Sequence, residues 1–496
     1  GASGTAYLAL GYGNGTATFN GTIQDGATAS TGLMKEGTGI QILGGVSTYS
    51  GDTIIDGGVL QASALNAFSS RSNIKLTSPT STLRLGGKDN AINALISTSG
   101  NGIVENYSYN SGTNILTVGS SDGSGAYGGA LRDGPGIGPL GITKNGLGTQ
   151  VLSGTNTYTG PTTVNAGTLE FDGGSNPGVN SAVTVNTNGH LVTQGNINVG
   201  SLSGGGEVRL TASAPTNATL TVGSLNTDAA YSGAIKDDGA GGNGHLGLTK
   251  IGSGSQTLAG ANTYTGPTTV NAGTLNVSGA MSSNVTVNAG ARFSYNNTTT
   301  PFTNSVTLNG AAGQPATLGG SGLFGGALTL NSKNSVLSPG NSPGVMTFMT
   351  GQLWNSFSYE WETNSFQSQV VGANFDQIQI QGGLNLTGGA NAYQLNLFSL
   401  ASDNSRNPLI DFAEQNRTWT ILTTTAGISG FDAANWSIDA SQFNAAPNNP
   451  SGTFAVQKSG DGKSLELTYT AATAPEPSGA ILILALGIIG ILKKRR

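Results

Sequence analysis

Over most of this chain the apolar residues fall in short runs at alternate positions rather than at helical spacing. In Val183-Thr184-Val185 and Val285-Thr286-Val287 the valines share one side and the threonine takes the other, the period of two expected of a strand with one dry face. Thr257, Leu258, Val270, Leu275 and Val277 recur in the same manner among Gly, Ser, Thr and Asn. Each run lasts a few residues and then meets a corner such as Gly252-Ser253-Gly254, Ala259-Gly260 or Asn271-Ala272-Gly273, where Gly or Asn takes positive φ at little steric cost. Short strands joined by such corners predict an all-β chain coiled into a solenoid.

The pattern is written three times. GLTKIGSGSQTLAGANTYTGPTTVNAGTLNVSG at 247–279 is matched by GITKNGLGTQVLSGTNTYTGPTTVNAGTLEFDG at 141–173 and by GLMKEGTGIQILGGVSTYSGDTIIDGGVLQAS at 32–63. Lys35, Lys144 and Lys250 stand in register, as do Tyr49, Tyr158 and Tyr264, and Leu60, Leu169 and Leu275. Similarity extends upstream, through TIQDG, ALRDG and AIKDDG. The unit of about 107 residues is too long for one rung and divides into about five turns of roughly 20 to 22 residues.

The solenoid is expected over 1–344. SPGNSPG at 338–344 carries prolines that interrupt a regular ladder and mark a corner. Residues 345–473 hold Trp354, Trp361, Trp419 and Trp436 and longer strand candidates, and are expected to continue or cap the coil, covering its last sheet edge. At about 22 residues per turn the body predicts about 21 turns and, at ~4.8 Å per turn, a rod of order 100 Å.

Residues 474–496 differ in kind: Pro475-Glu476-Pro477, then AILILALGIIGIL from Ala480, then Lys493, Lys494, Arg495 and Arg496. They predict a single C-terminal transmembrane helix. About 15 helical residues span roughly 22 Å, short of the ~30 Å hydrocarbon core, so thinning of the bilayer or snorkelling of the basic residues is needed. The four cations place the end in the cytoplasm and the rest of the chain outside.

Composition narrows the function. Eighty glycines and 9% charged residues are unusual for a packed enzyme. With no cysteine there are neither disulfides nor thiolate metal sites. A net charge of −5, with four of the cations in the tail, offers no basic face to nucleic acid.

Candidate chemistry is sparse. Asp237-Asp238 is the one adjacent acid pair in the search for sugar chemistry, and it sits in a Gly-rich corner where a solvated turn is expected. GGNGH at 241–245 has His245 where a calcium-binding Gly-rich repeat would carry an acid. His190 and His245 belong to separate turns and make no imidazole metal site. Lys35, Lys144 and Lys250 each precede an x-Gly-x-Gly corner and are expected to fix the outer face of a turn, and Tyr49, Tyr158 and Tyr264 to be corner aromatics. Asn156, Asn165, Asn262 and Asn271 are expected to bond turns together through their amides. No catalytic, metal or cofactor residue is assigned. A polysaccharide-degrading enzyme would instead gather three or more of Asp172, Glu207, Asp228, Asp237 and Asp238 in one groove.

The tail resembles the PEP-CTERM sorting signal, with Pro475, Glu476 and Pro477 on the signature triplet. The resemblance implies recognition by a membrane-embedded exosortase-type protease or transpeptidase that removes the helix. The three repeats look like autotransporter-associated β-strand repeats, through T-K-x-G-x-G-x-Q-x-L-x-G-x-N-T-Y-T-G in the second and third copies; Met34, Ser47 and Asp52 depart from it in the first. That likeness implies a right-handed parallel β-helix. No run of alternating membrane strands follows the repeats in these residues, so a different export route is expected. The whole predicts an exported, non-enzymatic surface or extracellular-matrix rod, transiently anchored in the inner membrane, without a cofactor, and acting in adhesion or an exopolysaccharide or biofilm matrix. The alternatives are a β-helical polysaccharide-degrading enzyme or a carbohydrate-binding surface protein.

Overall fold

The computed structural model describes residues 4–97, 102–178, 180–211, 217–237, 244–340, 342–446 and 449–472. The chain winds into a parallel β-solenoid of about 15 turns with almost no helix. Each short strand lies beside the equivalent strand of the next turn: Ser30–Lys35 pairs with Thr53–Ile55, and that with Asn73–Leu76, all parallel and unslipped. Register holds where a strand alternates a buried with a less buried face, as in Ile40–Leu43 and Asn73–Leu76, because a slip by one residue would turn its apolar set outward.

Inward residues stack into columns. Leu60, Leu83, Val104 and Leu131 are paired in turn and fully buried, as are Leu169, Leu191, Val208 and Ile235 farther along. The core is thus a thread of stacked side chains, in which each turn is supported by its two neighbours. Val183 and Val185 are buried and Thr184 between them is half-buried, as the alternation requires.

The count of turns corrects the expected 21, because turn length is not constant. Thr268 pairs with Val285, but Phe357 pairs with Tyr393 and Ile378 with Leu422. Parallel pairing continues past residue 344, where Val345–Phe348 lies between Leu323–Phe324 and Gln377–Ile380. These longer turns enclose a wider interior, and aromatics fill it: Phe324, Phe348, Trp354, Phe357 and Trp436 form a chain of ring contacts at 4.9 to 5.8 Å. Of the last described strands, Ser464–Thr470 runs antiparallel beside Arg417–Thr424, and Thr453–Lys458 runs antiparallel on its other side.

Among the described residues no helix is long and apolar enough to cross a membrane. The expected transmembrane helix and the sorting residues Pro475, Glu476, Pro477, Lys493, Lys494, Arg495 and Arg496 lie outside the described residues.

Candidate functional site

The recurring lysines do not lie on the outer face of a turn, as their sequence context predicts; all three are buried. Lys144 Nζ donates to the carbonyls of Asn145, Gly146 and Ala166, and Lys250 Nζ to those of Ile251, Gly252 and Ala272, at 2.6 to 3.2 Å. Lys35 does the same with Glu36, Gly37 and Gly57. Gly37, Gly146 and Gly252 have positive φ, so the x-Gly-x-Gly corner brings carbonyls round to the amine. Burial pushes the Lys144 amine down to about 8, and lowers Lys35 and Lys250 also. The glycine of the preceding turn is explained as well: a Cβ on Gly11, Gly119 or Gly223 would crowd the lysine head and the carbonyl beside it.

Tyr49, Tyr158 and Tyr264 are fully buried corner aromatics. Each hydroxyl shares a hydrogen bond with a threonine four residues on, at 2.6 or 2.7 Å. That threonine shares another with a serine of the next turn, through Thr53 and Ser72, Thr162 and Ser181, and Thr268 and Ser283. Gln150 and Gln256 are also buried, and their amides bond both the N–H and the carbonyl of Leu95 and of Leu202, two turns back. Sequence reasoning missed these glutamines, although the repeated Gln-x-Leu was their signal.

The acid that precedes each repeat is a brace. Asp133 Oδ1 accepts from the amides of Leu140 and Thr159, and Asp237 Oδ1 from those of Leu246 and Thr265. Asp25 bridges Thr31 and Ser50 in the same way, and those two amides hold its carboxyl below the ordinary range. Asp238 and residues 241–243 lie outside the described residues.

The other acids named for sugar chemistry have separate partners. Asp172 accepts from Gly173, Asp228 from Ser255, and Glu207 pairs with Arg209 and Lys236. His190 faces Glu207, while His245 meets Thr265 and Asp237. Among the described residues no group of three or more His, Asp or Glu is placed to hold a metal ion.

Two charged groups escaped the sequence reading. Buried Glu105 lies between Arg84 and Arg132, each at 2.8 Å, because the three occupy one register position on successive turns. Farther along, fully buried Asp376 accepts from the amides of Gly344 and Glu362, and Glu362 bonds Ser342 and Arg406. Burial and the neighbouring Glu362 push the Asp376 carboxyl well above its ordinary value.

On the outer surface, a groove of about 530 Å³ crosses several turns and is lined by Asn156, Ser175, Asn180, Asn198, Thr221 and Ser224 among others. Asn156 Nδ2 donates to Ser175 and Asn176, leaving its buried Oδ1 without a partner among the described residues. The expected amide bonds between turns are present: Asn165 donates to Asn145, Asn288 to Asn271, and Asn262 to the carbonyl of Ala280.

Three stretches match one known repeat. Residues 33–62, 142–171 and 248–277 fit the family described as Passenger-associated-transport-repeat. In addition, 165 residues, 32% of this chain, are 34% identical to the Adhesin BmaC autotransporter of Brucella suis biovar 1 (strain 1330). The aligned part is 4% of that protein's length. Each passenger-associated transport repeat holds its caged lysine, buried glutamine and corner tyrosine, while the bracing acid lies upstream of the match and the partner serine downstream. The repeat is therefore complete only when flanked by further turns.

Proposed function

We propose that the chain is an exported, non-enzymatic rod of the cell surface or extracellular matrix, a right-handed β-helix that acts in adhesion. The observation that carries this reading is the stack of three passenger-associated transport repeats within one parallel solenoid. Likeness to a stretch of an adhesin supports it. The recurrent charged residues are spent inside turns, which fits a role in holding a long outer surface in shape.

The tail completes the proposal. Pro475, Glu476 and Pro477 mark where an exosortase-type protease or transpeptidase acts, after a short stay in the inner membrane on the apolar segment that ends in Lys493, Lys494, Arg495 and Arg496. The delivered rod then serves adhesion or an exopolysaccharide matrix. In a host with such a protease, Glu476→Ala and deletion of 478–496 should each change the processed fraction and its release, and cells lacking the protein should adhere less. Unchanged fractionation of both variants overturns the sorting part; unchanged adherence overturns the adhesive part.

A second reading, a carbohydrate-binding surface protein, is favoured by the polar groove at Asn156 and Asn198. Specific glycan-array binding by the full chain would support it.

A further inference from the structure

Seven strands from Ile197–Val199 to Leu328–Leu330 form one parallel sheet. Along it a single outward position is occupied by Thr221, Thr249, Thr269, Thr286, Thr307 and Thr329, paired in unbroken register. Two residues on, Asn271, Asn288, Asn309 and Asn331 make a second column, each amide donating to the one before it. Four successive turns thus read Thr-Val-Asn, Thr-Val-Asn, Thr-Leu-Asn and Thr-Leu-Asn, with the middle residue buried.

The two columns differ in what they leave free. The asparagine amides are held in one orientation by their own ladder. The hydroxyls of Thr249, Thr269, Thr286, Thr307 and Thr329 make no hydrogen bond to any described residue and stand half-buried or exposed. No charged side chain points outward from these strands, since Lys250 is turned inward into its carbonyl cage. Nor does the outward face of the strands carry an aromatic ring, which a sugar-stacking platform would need.

We propose that this face binds ice. Hydroxyls and methyls repeat every ~4.8 Å across the strands, and the second column lies about 6.6 Å along them. The strand interval is close to the oxygen repeat of hexagonal ice, so one crystal plane can meet several rungs in step. Water held by the regularly spaced hydroxyls and the laddered amides gives up little further freedom when it joins that plane. An uncharged array in unbroken register is suited to a solid lattice, whereas a flexible solute gains nothing from the regular spacing. The inference does not depend on how the protein is sorted.

The test is growth of single ice crystals in solutions of the full chain, with the freezing and melting points read separately. Shaped facets and a gap between the two points are expected. Thr286→Tyr with Thr307→Tyr should reduce the gap at least tenfold at equal concentration. Thr329→Lys, at the sheet's end, should reduce it in part, and Asn276→Lys on another face should leave it unchanged. Melting curves establish that each variant is folded. Round, unshaped crystals with the wild type, or equal activity in the tyrosine variant, overturn the proposal. So does retention on microcrystalline cellulose or chitin without retention on ice.

Discussion

Lys144 Nζ lies 3.2 Å from the carbonyl of Ala166, one turn farther along the coil. The bond ties two rungs together through a cation that forms no salt bridge among the described residues. Three carbonyl oxygens of half-buried residues take the place of water around the amine, and they would lose that donor without it.

Replacing Lys250 by Met should therefore cost about 3 kcal/mol, since it removes three charge-assisted bonds and strands their acceptors. Lys236→Met, which breaks a half-exposed pair with Glu207, should cost about 1 kcal/mol or less. Shifts in urea midpoint measure both. Equal shifts would mean that the cage contributes no more than a surface ion pair.

Tyr264 holds the same corner more gently. Its hydroxyl meets Thr268, which remains bonded to Ser283 when the tyrosine hydroxyl is gone. Tyr264→Phe should cost about 1 kcal/mol. Ser283→Ala should cost more, because it also loses the bond to the Gly266 carbonyl in the turn before. Urea midpoints in the reverse order would show that the chain of hydroxyls is not what joins these turns.

These contacts show why the coil was legible in the sequence and its interior less so. Alternation in Val285-Thr286-Val287 reports which face is dry, and that property is local. Whether Lys35 points out or in depends on carbonyls of Gly37 and of Gly57, a turn apart, which alternation does not encode. The corner tyrosines were legible because an aromatic beside glycine has little else to do than fill a corner. Glu105 was not, since Arg84 and Arg132 become its neighbours only through the register of three turns. Turn number was misjudged for a related reason: the repeats fix turn length only where they occur, and beyond Ser342 the turns lengthen around aromatics.

Asp376 gives a pH dependence with a definite sign. A carboxyl whose folded value is raised binds its proton more tightly in the folded chain. Its contribution to stability is full below the ordinary carboxylate range, and is lost as pH rises through the raised value. Glu362 and Glu360 add to the shift. Comparing Asp376→Asn with the wild type should show the wild type's advantage greatest below about pH 4 and shrinking as pH rises toward about 8. An advantage that grows with pH would mean the carboxylate is the stabilised form.

The ion triad at Glu105 separates two roles of charge. Its carboxylate is 2% exposed, Arg84 is 17% exposed and Arg132 45%. Because Arg132 stays hydrated, Arg132→Ala should cost about 1 kcal/mol or less and lose even that in high salt. Glu105→Gln leaves Arg84 largely buried with a neutral partner, and should cost about 3 kcal/mol with little salt dependence. Arg84 also lies 4.6 Å over the Tyr107 ring, so Arg84→Met removes a cation–π contact as well as an ion pair. The double variant of Glu105→Gln and Arg84→Met should then cost less than the sum of its parts, since Glu105→Gln alone strands the Arg84 charge and the double variant removes it, whereas Glu105 keeps Arg132 when Arg84 alone is changed. Simple additivity in urea midpoints would place the two residues outside one another's field, contrary to their 2.8 Å separation.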